Sequence, residues 1–115
     1  FYGYDKLLNK ASEGVIQNFW RIAMQGSIKA HYDSIEAFSE TDLREDLKQI
    51  AVPTLVLYGT ADEIVPPEIC SQQAVKFLKQ GVEEQIKGAS HGLCTTHKNE
   101  VSFALKQFLA DNSVL

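Results

Sequence analysis

The chain has 115 residues, of which 44% are hydrophobic and 23% charged, as in an ordinary globular domain. Its net charge of −4, without any block of Lys or Arg, argues against a surface that binds nucleic acid or anionic membranes. The longest apolar run is too short to span a bilayer, and no signal peptide is recognisable. Two cysteines, Cys70 and Cys94, are too few for a disulfide scaffold, so we expect a cytoplasmic location.

The first half of the chain is predicted to be helical. Ser12 is suited to be an N-cap, and apolar residues then recur at helical spacing over 13–25. Gly26 interrupts the pattern, which resumes over 27–38. The apolar residues of the first helix cover a wide stripe, and those of the second recur at the same helical spacing.

A third, shorter helix is predicted over 42–50. Ser39, followed three residues later by Asp42, has the pattern of a capping box at its start. The helix must end before Pro53, because the residue that precedes a proline avoids the helical conformation.

The second half predicts a parallel β-α-β-α unit. Residues 54–58 are apolar on both faces, which is typical of a strand in a parallel sheet. A helix over 68–80 with Gly81 at its C′ position, a weaker strand over 82–87 and a last helix over 97–109 follow. This order predicts an α/β fold with a crossover connection, in a sheet that needs more strands than the chain supplies.

Two residues with catalytic chemistry, Asp62 and His91, follow the predicted strands in loops 60–67 and 88–96. Ligands of open parallel sheets bind beyond the carboxyl ends of the strands, where these loops meet. A carboxylate that accepts the Nδ1 proton of a histidine leaves Nε2 free to act as a base. Taken singly, each residue also has a structural explanation, as a turn aspartate and a solvated histidine.

The sequence resembles the α/β hydrolases in these same loops. GTADEIVP at 59–66 resembles their G-x-x-D-x-x-V-P motif, and GASHGLCTTH at 88–97 resembles their catalytic-histidine loop. Five further segments are similar to the cofactor-free haloperoxidases, which also act as perhydrolases and aryl esterases: FYGY at 1–4, FWR at 19–21, HYD at 31–33, AFSETD at 37–42 and EDLK at 45–48. The resemblance covers essentially the whole chain in one register.

This resemblance implies the C-terminal portion of an α/β-hydrolase fold, with 1–50 as a helical cap or lid segment and 51–115 as the last β-α-β-α part of the core. It also implies a Ser-Asp-His triad in which Asp62 is the acid and His91 the base. The nucleophile and the oxyanion hole of the family lie upstream of the cap. We therefore expect them before Phe1, which stands where a complete chain would begin with Met.

The function implied is that of a chloroperoxidase- or bromoperoxidase-type serine hydrolase without haem, metal or flavin. Its substrate would be a small ester or carboxylic acid, and its second substrate water or peroxide. Whether the chain is itself an enzyme stays open, since the serine is absent. The alternative is a non-catalytic fragment or domain that associates with itself or with the missing N-terminal half.

Ser90 is a competing nucleophile, because residues 88–92 fit the string G-x-S-x-G. That motif needs a helix directly after the serine, whereas the next helical pattern begins several residues later. Ser90 also adjoins His91, so both cannot easily take their places in one triad.

A zinc site is a second competing interpretation, with His91, Cys94 and His97 as ligands and Cys70 elsewhere. The spacing matches no zinc motif, so we expect no metal site and interpret Cys94 as a small packing residue.

Some residues of the first helices could serve the site as well. Phe19, Trp20 and Met24 could line an acyl pocket, although their helical spacing predicts core positions first. His31 lies on an apolar helical face and is predicted to be a packing histidine.

Overall fold

The computed structural model describes residues 1–3, 5, 7 and 10–112; Tyr4 of the opening motif lies outside them. The elements are α1 (Glu13–Ala23), α2 (Ile28–Glu40), α3 (Arg44–Leu47), β1 (Thr54–Gly59), α4 (Ser71–Phe77), β2 (Gly81–Ile86), α5 (Leu93–Thr96) and α6 (Lys98–Asp111). They divide into two compact units, Ala11–Leu43 and Phe1–Lys10 with Arg44–Leu115. Within the described ranges, no helix combines the length and hydropathy that crossing a bilayer requires.

The unit Ala11–Leu43 consists of α1 and α2, each begun by a serine cap. The Ser12 hydroxyl accepts a hydrogen bond from the Val15 N–H at 3.3 Å, which confirms the predicted start of α1. Ser27 caps α2 in the same way through the Ala30 N–H at 3.1 Å. Such caps satisfy backbone donors that have no partner within the helix.

Most apolar residues of α1 and α2 are exposed, so the prediction of Phe19, Trp20 and Met24 as core residues is wrong. Phe19, Trp20 and Met24 are 41%, 62% and 58% exposed, and neither helix has a buried residue. Two helices cannot cover stripes this wide, which need a further layer. His31 is exposed too; its ring packs against the backbone of Gly26, where any side chain would collide with it.

The third helix is shorter than predicted, and the capping box does not form. Ser39 lies in the last turn of α2, where its hydroxyl donates to the Glu36 carbonyl oxygen at 3.4 Å. The chain leaves the helix only at Thr41, which is extended. α3 then begins at Arg44 and spans a single turn.

The unit that contains Arg44–Leu115 is built on the predicted parallel strand pair. β1 and β2 run in register from Thr54 opposite Gly81 to Gly59 opposite Ile86, with α4 as the crossover. The core beside them consists of Ile86, Ala89, Leu93 and Val101, with Leu57 packed against it. Only the last two residues of β1 are buried and the rest are half-buried, as expected of a two-stranded sheet.

Two glycines lie where the structure differs from the prediction. α4 ends at Leu78 in an extended conformation, and Gly81 begins β2 rather than occupying a C′ position. A Cβ at Gly81 would lie 3.0 Å from the Leu78 Cβ, so the glycine permits a close approach there. Gly88, with φ 73°, turns the chain after β2, and α5 forms within the predicted loop 88–96.

We expect Gly59→Ala to destabilise this unit. A Cβ there would collide with the Ala89 carbonyl oxygen and lie 2.9 Å from that of Ser90, and neither backbone atom can move aside easily. The loss should be about 1–3 kcal/mol in urea unfolding. The matched control is Gly14→Ala in α1, where the nearest atom lies 3.9 Å away. The control should be neutral or stabilising, and a Gly59→Ala protein as stable as wild type would contradict the close approach.

Candidate active site

The site forms where β1 and β2 end side by side. Because Gly59 pairs with Ile86, the loops that follow both strands leave the sheet at one edge. Their backbones are joined: the Thr60 N–H donates to the Ile86 carbonyl oxygen at 3.1 Å, and the Ala61 N–H to that of Ala89 at 2.9 Å. These bonds fix the two loops against each other.

The structure brings Asp62 and His91 together. The Asp62 Oδ2 atom lies 2.7 Å from the His91 Nδ1 atom, although 29 positions separate the two residues. Asp62 is buried, whereas a third of the His91 side chain is exposed. One end of the imidazole is therefore held by the protein, while part of the side chain remains accessible.

The second carboxylate oxygen of Asp62 is held by its own loop. Oδ1 accepts the N–H groups of Ile64 and Val65, both at 2.9 Å, in a turn that wraps around the carboxylate. Burial is the strongest single influence on the Asp62 pKa and raises it. The hydrogen bonds from Val65, His91 and Ile64 together outweigh burial, so the Asp62 pKa is lower than usual.

This arrangement suits proton transfer at His91. An ionised Asp62 that accepts the Nδ1 proton fixes the tautomer in which Nε2 is an acceptor, and it stabilises the imidazolium that forms on protonation.

The Phe1 ring packs edge-on against the imidazole, with centroids 5.0 Å apart. Beside them is a cavity of about 230 Å³, lined by Phe1, Gly3, Asp5, Ala61, Glu63, Ile64, Ser90 and His91.

Ser90 lies in this loop but not in the setting that a G-x-S-x-G nucleophile requires. It is buried, and the single-turn helix α5 begins three residues later, at Leu93. A nucleophile elbow instead passes from the serine directly into a helix.

The residues of the competing zinc interpretation lie in different environments. Cys94 is exposed, so its prediction as a packing residue is wrong. His97 is buried at the start of α6 and its Nδ1 lies 2.9 Å from the Thr96 hydroxyl. In the described part of the chain, no three His, Cys, Asp or Glu side chains form a group that could hold a metal ion.

Sequence reasoning missed the residues that support the pair. The Asp62 side chain caps its own turn through Ile64 and Val65, a common behaviour of aspartate before a turn. The Thr60 hydroxyl accepts the Gly88 N–H at 2.8 Å. The bonds from Ile64 and Val65 could have been found from the loop aspartate itself. The bond between Thr60 and Gly88 joins distant residues and leaves no local pattern in the sequence.

Comparisons with known proteins bear on the family and the fold of the chain. No family model matches the chain. It is 46% identical over 109 residues to a non-heme chloroperoxidase of Burkholderia pyrrocinia, across 95% of this chain and 39% of that protein. A bifunctional esterase/perhydrolase of Acinetobacter calcoaceticus is 42% identical over 109 residues, with 95% and 40% covered. The crystal structure of a bromoperoxidase from Bacillus anthracis superposes with a TM-score of 0.83 at 38% identity, across 87% of this chain and 36% of that one.

The chain is homologous to the non-heme haloperoxidases and shares the fold of the α/β hydrolases. A second solved α/β hydrolase, MGS-MChE2, gives a TM-score of 0.72 at 15% identity, which bears on the fold alone. The resemblance predicted from the sequence motifs is thus confirmed. The chain spans about two fifths of the length of the curated proteins that it matches, 39% of the chloroperoxidase and 40% of the esterase/perhydrolase.

The lowered Asp62 pKa predicts how stability changes in acid. Above the unfolded-state pKa of about 3.9, the folded state gains the full benefit of the ionised carboxylate. That benefit is lost as the pH falls through the lower folded-state pKa. Urea unfolding between pH 6 and pH 2 should therefore show a larger loss of stability for wild type than for Asp62→Asn. Parallel losses in the two proteins would contradict the assignment.

Proposed function

We propose that this chain is the C-terminal part of a serine hydrolase of the haloperoxidase, perhydrolase and aryl esterase type, and that Asp62 and His91 are its catalytic acid and base. The main support is the 2.7 Å contact between the two side chains at the shared edge of parallel strands. The homology to haloperoxidases and to an esterase/perhydrolase over 95% of the chain supports the reaction class.

In the proposed mechanism, the preceding part of the enzyme supplies the serine and the oxyanion hole. His91 Nε2 takes the proton of the serine hydroxyl as its oxygen attacks an ester carbonyl, and then gives that proton to the leaving alcohol. Asp62 holds the ring and stabilises the imidazolium. Water releases a carboxylic acid from the acyl-enzyme, while hydrogen peroxide releases a peracid, which oxidises halide in solution. The scheme uses no haem, metal or flavin.

The assignment of cap and core segments along the chain is part of this proposal. Residues 1–50 would form the helical cap or lid, and 51–115 the last β-α-β-α part of the core. The compact unit Ala11–Leu43, with its exposed apolar residues, falls within the proposed cap. The substrates would be a small ester or carboxylic acid with water or peroxide, and the location cytoplasmic, in keeping with two unpaired cysteines.

Asp62→Asn should remove most of the activity in a complete active site. Such a site can be assembled by replacing the matching 109-residue segment of the Acinetobacter esterase/perhydrolase with this chain. We expect turnover of an aryl acetate to fall by roughly four orders of magnitude, as in other triads, because the histidine loses its tautomer and its counter-charge. A minor loss would show that another carboxylate fills the role.

Ser90→Ala is the matched control in the same chimera. It changes the neighbour of His91 without touching the proposed triad, so turnover should stay near that of the parent chimera. A loss of several orders of magnitude would make Ser90 the nucleophile and overturn the proposal.

The 115-residue chain by itself should show no serine-dependent turnover of an aryl acetate, because the proposed nucleophile is supplied by another segment. A fluorophosphonate probe should leave the isolated chain unlabelled under conditions that label the chimera at one serine. Burst kinetics, or stoichiometric labelling of the isolated chain, would contradict this expectation.

A second candidate function is a non-catalytic, associating fragment. The exposed apolar residues of α1 and α2 favour it, since large exposed apolar patches mark interaction surfaces. Its partner would be the preceding half of the hydrolase or a second copy of the chain. The chimera separates the two candidates, because a folded chimera without turnover would support the non-catalytic one.

A further inference from the structure

Thr60 connects the two loops of the site at a single residue. It follows β1 directly, and its N–H donates to the Ile86 carbonyl oxygen at the end of β2. Its side-chain oxygen accepts the Gly88 N–H at 2.8 Å. Thr60, in the Asp62 loop, is therefore bonded at two points, Ile86 and Gly88, to the turn that leads to His91.

We propose that Thr60 is a positioning residue for the Asp62–His91 pair. Its hydroxyl would fix the turn at Gly88 and thereby hold the His91 ring within hydrogen-bonding distance of the carboxylate. The geometric part of this inference rests on the contacts above, and its importance for turnover rests on the proposed function.

The turn at Gly88 is closed by its own backbone bond, from the Ala89 N–H to the Ile86 carbonyl oxygen at 3.2 Å, and the Thr60 hydroxyl adds a bond from the Asp62 loop. Gly88 has φ 73°, and glycine adopts positive and negative φ about equally well. The Thr60 hydroxyl can accept the Gly88 N–H only when the turn has the orientation seen here. The buried Ala89 next to it is held in turn by the bond from Ala61.

The two members of the pair are held by different contacts. The Asp62 carboxylate accepts two backbone N–H groups of its own loop in addition to the contact with His91. The His91 side chain is one-third exposed and follows Gly88 by three positions. A change in the Gly88 turn would therefore displace the imidazole rather than the carboxylate.

The test compares Thr60→Val, which keeps the shape but removes the hydroxyl, with Thr60→Ser, which keeps the hydroxyl. A histidine Nδ1 proton shared with a carboxylate gives a resonance far downfield in the proton NMR spectrum. Wild type and Thr60→Ser should show it, and Thr60→Val should lose it. Hydrogen exchange at the Gly88 amide should be about ten-fold faster in Thr60→Val, as expected for one lost hydrogen bond.

Val101→Ala is the control for general destabilisation. Val101 is a buried core residue of α6 in the same cluster as Ala89, so its truncation weakens packing beside the His91 loop without removing a hydrogen bond of Thr60, Asp62 or His91. This variant should keep the downfield resonance. If Thr60→Val keeps it at the wild-type position, or if wild type lacks it, the proposal is overturned.

A second measurement decides the matter if Thr60→Val does not fold. Exchange at the Gly88 amide is then compared between wild type and Thr60→Ser, where protection in both supports the proposal. Exchange in wild type at the rate of an unstructured peptide would overturn it.

The chimera keeps this inference separate from the proposed function. There, Thr60→Val should lower kcat about ten-fold with little change in KM, and Thr60→Ser should restore it. A chimera with no turnover at all would count against the proposed function, while the NMR comparison would still decide the role of Thr60.

Discussion

The in-register parallel pairing of β1 and β2 is the constraint on which the site depends. Because Gly59 and Ile86 are opposite each other at the strand ends, both loops start from one edge of the sheet. Asp62 then needs three residues, and His91 five, to reach a common point. A slip of one residue between the strands would turn their side chains to the other face and separate the loops. The site is therefore first a consequence of strand register and only then of the chemistry of its side chains.

A buried carboxylate is costly unless it is paired, and the Asp62 loop shows how that cost is met. One oxygen receives two backbone N–H groups and the other faces the imidazole. These bonds favour the ionised form strongly enough to outweigh burial, which is why the pKa falls rather than rises. A carboxylate kept ionised in this way provides His91 with a permanent acceptor. The turn that satisfies the carboxylate thus also sets the protonation state that a proton-transfer site requires.

The sequence predicted features that depend on local pattern and failed where a distant neighbour decides. Apolar residues on both faces of β1 indicated a parallel strand, and the chain order brought Asp62 and His91 to one edge.

Gly81 was misassigned because a glycine after a helix is typical of a C′ position, whereas here it allows Leu78 to approach β2. Trp20 was expected in a core because its helix has an apolar stripe, but burial depends on what covers the stripe. The bond between Thr60 and Gly88 joins residues 28 positions apart, so no local spacing reveals it.

The carboxylate–imidazole pair and the apolar helices differ in what they need from the rest of the protein. The hydrogen bonds that hold the pair come from residues between Gly59 and His91, and the Phe1 ring packs against the imidazole from the same compact unit. Hydrogen bonds between adjacent strand ends supply this geometry without a large core. The stripes of α1 and α2 instead require apolar surface to cover them, and burial energy grows with area. Since the haloperoxidases that match this chain are about two and a half times as long, they have residues that could form such a layer. The position of the proton-transfer pair is thus set locally by backbone pairing, whereas burial of the helices depends on a further layer.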